Sequence, residues 1–532
     1  MVNEGDNNYK KITRRGFLAS SAAVATGTFF IKGSSAKDGE QLLMSMKTGT
    51  GTQYDWDALK QRIEGQVVTS SMPAYSTVRP AMVWNELKPD RTPDVIVTVK
   101  NEKDVMEAIN FARANKMKVA VHAGGHTWAG LALRNGGMCI DISQLNAAKI
   151  DKANKTASIQ PVISNRDCAQ MLTEQGLAFP TGHCSTVKVS GYLLNGGMSW
   201  NLAKWGPGCM SVNAIEFVTA DGKLITASEK EHPDLFWAAR GAGPGMFAVA
   251  VRYHLKLYDL PKIYGSGYCF KYTDMEEVAR EVGKAAKTFP DFLELTMFII
   301  AAKNGQMKTE HNEDKGWIFK VSAVAFGDTD KDALAALDLL DKLPVMKKSI
   351  QTDAKDELSF KALFDGADVA WPSGLRSKVE NLSYNVPPEE VLASVRDLWL
   401  ETPSWRSAFT LVVSTGKKNF LHSNPDVALS MDGCSYGGMW IMWKDASEDT
   451  ANIEWNKKAA AALQKVEHGR YIGETDYVDD NSRVKASYDP HKWRRMEEIR
   501  AKYDPEGVFQ GFLGGIPSSV PVNNGCPTPD NE

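Results

Sequence analysis

The spacing of apolar and polar residues predicts a close succession of strands and helices between residues 94 and 260. Residues 94–99 alternate as a strand does, and residues 102–115 carry apolar side chains at helical spacing. Asp221-Gly222 lies between two apolar runs and indicates a hairpin. The other elements predicted here are strands at 118–122, 138–142, 156–160, 214–219 and 223–227, a helix at 165–175 with Ser164 as its N-cap, and a helix at 234–240.

Beyond residue 262 the predicted elements become longer. Helices are predicted at 275–288, 331–342, 388–400, 450–466 and 491–503, and strands at 293–301, 317–326, 407–414 and 438–443. This alternation is typical of a sheet covered by helices. We therefore expect an α+β chain with a first domain at 55–262, a second at 263–465 and a C-terminal segment at 466–515.

Residues 1–36 have the features of an export signal. A basic stretch with Arg14-Arg15 leads into an apolar run that ends at Ile31 and is shorter than the ~20 residues of a spanning helix. The arginine pair resembles a twin-arginine signal, and a chance pair before an ordinary secretory signal is the alternative. We expect a periplasmic or secreted protein without a membrane anchor, which meets the twin-arginine translocase during export.

Composition narrows the class of protein further. The 532 residues are 43% hydrophobic and 24% charged, with a net charge of −3, which argues against a dedicated nucleic-acid binder. The seven cysteines form no CxxC pair, so neither a zinc ribbon nor a thioredoxin-type motif is supported. In an oxidising compartment this odd number leaves at least one thiol outside intramolecular disulfides.

Two glycine clusters each carry a nucleophilic side chain. His122 and His126 have the spacing of a helical zinc pair, but the two glycines between them disfavour a helix, and we predict no metal site there. The glycines favour a turn whose N–H groups suit a phosphate, with an ordinary surface turn as the alternative. The second cluster follows Cys184, which alone would be consistent with inert packing. The glycines of 241–245 follow a helix, so a nicotinamide Rossmann site fits poorly.

These elements resemble those of a known family. The stretches VAVHAGGHTWAGLALRNGGMCIDIS, GHCSTVKVSGYLLNGGMSW, FVTADGKLITAS, DLFWAARGAGPGMFAV and the C-terminal YIGETDY … YDPHKWRRMEEIRAKYDPEGVF are similar to the berberine-bridge-enzyme-like (BBE-like) covalent flavoproteins of the vanillyl-alcohol-oxidase fold. The resemblance implies a PCMH-type FAD-binding domain of two α/β subdomains at 55–262. It also implies a substrate domain with an antiparallel sheet covered by helices, and a C-terminal segment that returns to the first domain.

The resemblance implies FAD attached by two covalent bonds. His126 would bond the flavin 8α carbon, and Cys184 would bond C6. The other cofactor-binding positions that it implies are Gly124 and Gly125 at the pyrophosphate, then Val187, Gly191, Gly196 and Gly197, and Val249 beside the adenosine. Lys188, Ser190 and Asn195 stand where the family usually has glycine. Lys188 would reach the flavin or a phosphate, or else be a solvated surface residue.

The C-terminal motif supplies the candidate catalytic residues. Many relatives carry Tyr-x-Asn-Tyr, with the second tyrosine as base, where this chain has Tyr471-Ile-Gly-Glu474. Glu474 is therefore the candidate base, a structural carboxylate being the alternative, and Tyr471 would position the substrate. Val187 stands where the family tends to carry a small residue when oxygen reaches the flavin, which favours an oxidase.

We expect an exported FAD-dependent oxidase. A base takes a hydroxyl proton while the adjacent carbon gives hydride to the flavin, and molecular oxygen is then reduced to hydrogen peroxide. The small-molecule substrate would be a sugar, a glycosylated natural product or a phenolic or alkaloid compound. The aromatic residues Trp371, Tyr436, Trp440 and Trp443 are interpreted as core rather than as a sugar-binding platform. A dehydrogenase with another electron acceptor and a catalytically inactive flavin-binding protein are the alternatives.

Overall fold

The structure is a computed structural model that describes residues 54–302, 316–416, 426–478 and 480–512. The chain from Asp55 onward forms one compact unit. The predicted export signal at 1–36 lies outside the described residues. Within those described, no helix combines the length and the apolar character needed to cross a membrane.

Strands and helices alternate in the first part of the unit. The strands are β1 (Gln66–Thr69), β2 (Val95–Thr98), β3 (Val119–His122), β4 (Met138–Asp141), β5 (Ala148–Asp151), β6 (Thr156–Ile159), β7 (Leu177–Ala178), β8 (Val212–Thr219), β9 (Leu224–Ser228), β10 (Ala248–Lys256) and β11 (Tyr258–Asp259). The helices are α1 (Trp56–Lys60), α2 (Tyr75–Ala81), α3 (Glu102–Ala114), α4 (Asn165–Thr173), α5 (Val189–Leu194), α6 (Leu202–Trp205) and α7 (Pro233–Ala239).

These strands form two principal sheets. The first has the order β1-β2-β4-β3, in which β2, β4 and β3 run parallel and β1 runs antiparallel to β2. The second is antiparallel with the order β5-β6-β10-β8-β9, and β7 pairs separately with β11. The predicted hairpin is confirmed as β8 and β9, and Ser164 caps α4 by accepting the Asp167 N–H.

The second part of the unit is built on one large sheet. Its strands are β12 (Lys262–Lys271), β13 (Leu293–Ala301), β14 (Trp317–Gly327), β15 (Gln351–Thr352), β16 (Asp356–Leu358), β17 (Arg376–Tyr384), β18 (Ala408–Val413), β19 (Ser435–Trp443) and β20 (Gly469–Arg470). The helices are α8 (Met275–Ala286), α9 (Asp330–Asp341), α10 (Phe360–Ala370), α11 (Pro388–Trp399), α12 (Asp449–Leu463), α13 (Ser482–Ala486) and α14 (Pro490–Tyr503). The antiparallel order is β15-β12-β14-β13-β18-β19-β17-β20, with β16 also paired to β12.

The two faces of this sheet differ because side chains alternate along each strand. In β13, Leu293, Leu295 and Met297 are fully buried in a core that includes residues of α8, α9, α11 and α12. Glu294 and the alternate positions Thr296, Phe298 and Ile300 line a cavity instead. One face is therefore covered by helices, as the sequence predicts, and the other is left open.

The C-terminal segment joins the two parts. After β20 the chain passes through α13 and α14 and returns to the edge of the first sheet. There the Val119 N–H donates to the Val508 carbonyl, and the Gln510 N–H donates to the Val119 carbonyl, each at 2.8 Å. The C-terminal segment thus connects the large sheet, which residues 471–474 follow, to the first sheet, which carries the glycine-rich loops.

The sequence pattern does not predict β12, β17 or α10. β12 contains Gly265 and Gly267, which lower strand propensity. A Cβ on Gly265 would lie 2.5 Å from Cδ1 of Leu358 in β16, so the leucine side chain packs directly over this glycine. β17 reads RSKVENLSY and has no run of apolar residues, although most of its residues are buried.

Candidate active site

A cavity of about 1040 Å³ lies between the glycine-rich loops of the first part and the open face of the large sheet. This volume is at the upper end of the ~300–1,000 Å³ range of small-molecule sites, so a large cofactor and a substrate have room together. Loop residues within 119–134 and 182–195 line it, as do side chains from β13, β14, β18 and β19, helix α10 and the turn 471–474.

His126 reaches the cavity from the loop that follows β3. Both glycines before it lie close to neighbouring groups, and the backbone requires glycine at the second. Gly125 has φ +67°, and a Cβ there would lie 2.2 Å from the Met82 carbonyl oxygen. A Cβ on Gly124 would lie 2.4 Å from Cγ of Lys188. The Gly-Gly-His pattern thus indicates a loop that packs closely against neighbouring segments on two sides.

The His126 ring is fixed by two contacts. Its Nε2 lies 2.9 Å from the Thr186 hydroxyl, and Trp84 stacks on the ring with 5.0 Å between centroids. Burial, and secondarily the charge of Lys188, lowers the pKa of His126 to about 4. The imidazole is therefore neutral at physiological pH, with one ring nitrogen engaged by Thr186.

Cys184 lies on the same wall of the cavity. Its Sγ is 3.8 Å from the Thr186 hydroxyl, which therefore contacts both Cys184 and His126. Burial raises the pKa of the Cys184 thiol, and hydrogen bonds from Thr186 oppose that rise. The loop is anchored because Asn165 donates to the Cys184 carbonyl oxygen at 3.1 Å. Two distant sequence motifs thus meet around one hydroxyl group.

The glycines of the second cluster lie in two different places. Gly191 lines the cavity, and a Cβ there would meet open space. Gly196 and Gly197 lie behind this wall with φ +98° and +82°. Their hypothetical Cβ atoms would lie 2.8 Å from Leu429 and 2.7 Å from Tyr192. This pair shapes the chain reversal after α5.

The other cofactor positions implied by the resemblance also differ in location. Val187 and Lys188 line the cavity. Val249 is completely buried in β10, whereas its neighbours Ala248 and Ala250 line the cavity. The alternation of strand side chains accounts for this difference, because neighbours in a strand point to opposite faces.

Glu474 and Tyr471 come from the turn after β20, and both line the cavity. Asn381 of β17 donates a hydrogen bond to the Glu474 carboxylate. Burial raises the pKa of Glu474, while the hydrogen bond from Asn381 and the charge of His183 oppose that rise. Burial, followed by the nearby charge of Glu474, also raises the pKa of Tyr471. Glu474 is consequently a carboxyl group able to change protonation state nearer to neutrality than an exposed glutamate.

The polar residues of the cavity that were not identified from the sequence include His183, Glu294 and Asn381. Glu294 carried a usable signal, because it is the one charged residue in the strand sequence LELTMFIIA. His183 precedes Cys184 but belongs to no motif of its own. Asn381 lies in a strand that the sequence pattern did not predict, so nothing in the sequence indicated that its side chain lines the cavity.

The interpretation of the aromatic residues as core is correct for two of the four. Trp443 is fully buried in the core beneath the helices, and Tyr436 belongs to a second buried cluster at the wall of the cavity. Trp371 and Trp440 line the cavity instead. Trp440 contacts Trp371 and Trp128 with 5.8 and 5.3 Å between ring centroids. The periodicity identified buried positions, but it does not distinguish a core from the wall of an internal cavity.

Comparison with known proteins agrees with this architecture. Residues 93–228 match the profile of an FAD binding domain. Over 467 residues the chain is 30% identical to an uncharacterised FAD-linked oxidoreductase, YgaK of Bacillus subtilis, an overlap of 86% of this chain and 98% of that protein. BBE-like 1 of Physcomitrella patens has a TM-score of 0.73 at 16% identity, over 88% of this chain and 99% of that one. The 6-hydroxy-D-nicotine oxidase of Arthrobacter nicotinovorans has a TM-score of 0.72 at 21% identity, over 84% and 97%. The chain therefore belongs to the FAD-linked oxidoreductases, with a PCMH-type FAD-binding fold.

Proposed function

We propose that this FAD-linked oxidoreductase is an oxidase of a hydroxyl-bearing small molecule, such as a sugar, a glycosylated natural product or a phenolic compound. The observation that carries the proposal is the joint contact of Thr186 with His126 and Cys184, in the same cavity as the raised-pKa carboxyl group of Glu474. That arrangement combines two nucleophiles for attachment of a cofactor with one group that accepts a proton.

The residues of the cavity fit FAD. Gly191 leaves open space where any side chain would project into the cavity, and Gly125 requires its left-handed conformation to bring the following His126 to the wall. The volume of about 1040 Å³ accommodates a dinucleotide with space left for a substrate. Lys188 supplies a cationic side chain to the same wall, which suits the negative charge of a phosphate or of a reduced flavin.

We further propose that both attachments are covalent. In the tautomer whose Nε2–H donates to Thr186, the lone pair lies on Nδ1, and the lowered pKa keeps this nitrogen nucleophilic. Cys184 offers its sulfur beside the same threonine. Thr186 is then the positioning residue for both bonds.

The chemistry that FAD supplies when bound is two-electron transfer: hydride acceptance from carbon and, in an oxidase, delivery of both electrons to molecular oxygen. Glu474 takes the proton of the substrate hydroxyl. Asn381 holds the carboxylate and, by favouring its ionised form, keeps Glu474 able to accept a proton. Tyr471 packs beside Glu474 and limits the positions that a substrate occupies.

A substrate panel read by flavin absorbance tests the function. The purified yellow protein is mixed without oxygen with cellobiose, a secondary alcohol of a glycosylated compound, coniferyl alcohol and 6-hydroxynicotine, and air is then admitted. We expect one hydroxyl-bearing class to bleach the flavin, and air to restore the colour with one hydrogen peroxide per flavin. Reoxidation by a dye but not by air would identify a dehydrogenase. A flavin that no compound bleaches would favour an inactive flavin-binding protein.

Denaturation tests the double attachment. Acid-precipitated wild type should stay yellow, and so should His126→Ala and Cys184→Ala, because each retains the other bond. The double variant should release its flavin into the supernatant. Complete release of FAD from the wild type would contradict both bonds.

Val187 provides a test of oxygen access. Because Val187 lines the cavity, Val187→Leu should obstruct the approach of oxygen and slow reoxidation about tenfold or more, whereas anaerobic reduction should change little. Equal reoxidation rates in the variant and the wild type would show that Val187 does not control the approach of oxygen.

We also propose export through the twin-arginine route, on the basis of Arg14-Arg15 and the apolar run after them. Replacing both arginines with lysine should leave folded precursor carrying flavin in the cytoplasm. Unchanged export of that variant would point to another route.

A further inference from the structure

Arg406 is a cavity residue to which the proposed reaction assigns no role. It lies in the turn just before β18, is half-buried and lines the cavity. Its guanidinium group lies over the ring of Trp405, 4.4 Å from the ring centroid. Within the part of the chain that the structure describes, this guanidinium group makes no hydrogen bond and no ion pair. Because stacking occupies only the face of the group, the N–H donors in its plane remain available to a molecule in the cavity.

Comparable cations elsewhere in the described residues have an anionic partner. Arg495 also stacks on a tryptophan ring, with 4.2 Å to the centroid, but its Nη1 lies 2.7 Å from a carboxylate oxygen of Asp426. Lys320 lines the cavity from β14, and its Nζ lies 3.0 Å from a carboxylate oxygen of Asp353. Taking a charge partly out of water costs free energy unless an opposite charge compensates. The half-buried Arg406 therefore offers an anion site that the described protein groups leave unfilled.

The sheet register separates Arg406 from the proposed base. Asn381, which donates to Glu474, is two strands away from Thr410 in the same row of the large sheet. Arg406 lies four positions before Thr410, beyond the end of β18. At ~3.4 Å per extended residue, and less in the turn, the cation and the base are about 10 Å apart along the wall. A molecule that contacts both groups is therefore elongated.

The wall between these two positions is aromatic. Trp440 is opposite Ala408 in the sheet, and its Nε1–H donates to the Thr410 hydroxyl at 3.0 Å. Trp128 and Trp371 contact Trp440, and all three rings line the cavity. Indole rings favour a flat apolar body by burial and by edge or face contact. The wall thus offers a proton acceptor at one end, aromatic surface in the middle and a cation at the other end.

We propose that Arg406 binds a carboxylate of the substrate, and that the substrate is an elongated aromatic hydroxy acid. Its hydroxyl group lies at Glu474, its flat body lies against Trp440, and its carboxylate lies at Arg406. The inference rests on the proposed function and narrows its substrate class. A planar guanidinium group matches a carboxylate with two parallel hydrogen bonds, which a lysine does not reproduce. Arg406 therefore determines specificity and takes no part in the transfer of the proton or the hydride.

Calorimetry with a matched pair of compounds tests the anion site without turnover. The flavin-bearing protein is titrated with 4-methylcinnamate and with 4-methylcinnamamide, which share one aromatic body and differ in charge. We expect the wild type to prefer the acid. Arg406→Gln should lower the ratio of acid to amide affinity about 10- to 100-fold, the size expected for hydrogen bonds between charged groups. Arg406→Lys keeps the charge without the planar fork and should retain only part of the preference.

Arg495→Gln is the matched control. Arg495 stacks on Trp237 as Arg406 stacks on Trp405, but neither Arg495 nor Trp237 lines the cavity. This variant should show the wild-type ratio of affinities, and circular dichroism and flavin absorbance of each variant check the fold. An equal ratio in wild type and Arg406→Gln would overturn the inference, and so would a wild type that binds neither compound.

Anaerobic flavin reduction supplies the second readout. The substrates are 4-(hydroxymethyl)cinnamate and its amide, whose hydroxyl and acid or amide groups lie at opposite ends of the same body. Arg406→Gln should raise the half-saturating concentration of the acid about 10- to 100-fold and change the limiting rate less than about threefold, because the lost contact binds ground state and transition state alike. An unchanged half-saturating concentration would exclude Arg406 from substrate binding. If no compound reduces the wild type, the proposed function fails, whereas the calorimetry still decides whether Arg406 binds a carboxylate.

Discussion

Strand β17 separates two groups of buried polar side chains that are built in opposite ways. Glu380 and Asn381 are neighbours in this strand, so their side chains point to opposite faces of the sheet. Asn381 lines the cavity and donates to Glu474. Glu380 contacts Arg470 and Arg483 of the C-terminal segment. The same strand thus supports the carboxyl group of the proposed base on one face and an ionic network on the other.

The network on the Glu380 face pairs every charge with an opposite one. Its carboxylates are Glu380, Glu467 and Asp476, and its cations are Lys378, Arg470 and Arg483. Glu380 is 2% exposed and Arg470 is 5% exposed. Buried charges of this kind are tolerated only when they are paired. The network therefore fastens the segment that carries Tyr471 and Glu474 to the edge of the large sheet.

The cavity face is organised differently. Glu474 receives a hydrogen bond from Asn381, a neutral group, and has no salt bridge among the described residues. Burial raises its pKa, and neither the hydrogen bond from Asn381 nor the charge of His183 reverses the effect. Burial raises the pKa of Glu380 as well, so the two carboxyl groups differ in their partners: Glu380 contacts two arginines that hold the C-terminal segment, whereas Glu474 is bonded to a neutral amide and faces the cavity.

The largest expected effect comes from removing the reactive carboxyl group. Glu474→Gln keeps the size of the side chain and its hydrogen bonding but abolishes proton acceptance, so flavin reduction should slow ~10²–10⁴-fold with the flavin still attached. The acidic limb of the rate profile, which reflects the raised pKa of Glu474, should disappear. Stopped-flow reduction as a function of pH measures both. A fall of less than tenfold with that limb intact would make Glu474 structural and Tyr471 the next candidate.

A substitution on the other face should affect stability instead. Arg470→Gln leaves the buried carboxylates of Glu380 and Glu467 without one of their cations, which should cost about 3–5 kcal/mol of unfolding free energy. Urea unfolding at pH 8 measures this loss, because burial raises the pKa of Glu380 to about 7 and the carboxylate is then ionised. Rates per folded, flavin-bearing molecule should remain within about threefold of wild type. An unfolding free energy equal to that of the wild type would show that the network does not stabilise the fold.

Asn381 tests how the neutral partner tunes the carboxyl group. Asn381→Leu removes the donor that favours ionised Glu474, so the pKa of Glu474 should rise further and the acidic limb should move to higher pH. Near neutral pH the rate of flavin reduction should fall about tenfold, the size expected for a hydrogen bond to a charged group. At alkaline pH the rate should recover. An unshifted limb would mean that Asn381 only fills space.

The sequence predicts correctly those elements whose signals lie within a short stretch of the chain. The bounds of α3, α4 and β13 agree with prediction within a few residues, because apolar spacing and capping residues act over short distances. The glycines around His126 and Cys184 are a local signal of close packing. The fold and the FAD binding domain predicted from these motifs are confirmed.

Contacts between distant segments explain what the sequence could not predict. β17 carries polar residues that are buried only because the C-terminal segment covers one face and the cavity lies at the other. The pairing of Glu294 with His183 joins residues from different parts of the chain. Neither has a periodic or local signal. Covalent attachment of FAD and export remain predictions.

The smallest expected effect distinguishes the two faces, because Glu474→Gln should change stability in the opposite direction to Arg470→Gln. Burial raises the folded-state pKa of Glu474 above its unfolded value, so the folded protein holds this proton more tightly. Stability from this group is full below the unfolded pKa near 4.5 and is lost as pH rises through the folded pKa. A glutamine does not titrate, so Glu474→Gln should match wild type at pH 4 and become slightly more stable above neutrality, the reverse of Arg470→Gln. Paired urea unfolding curves at pH 4 and pH 8 measure this difference, and a destabilised Glu474→Gln at pH 8 would show that its carboxylate is held for structure as Glu380 is.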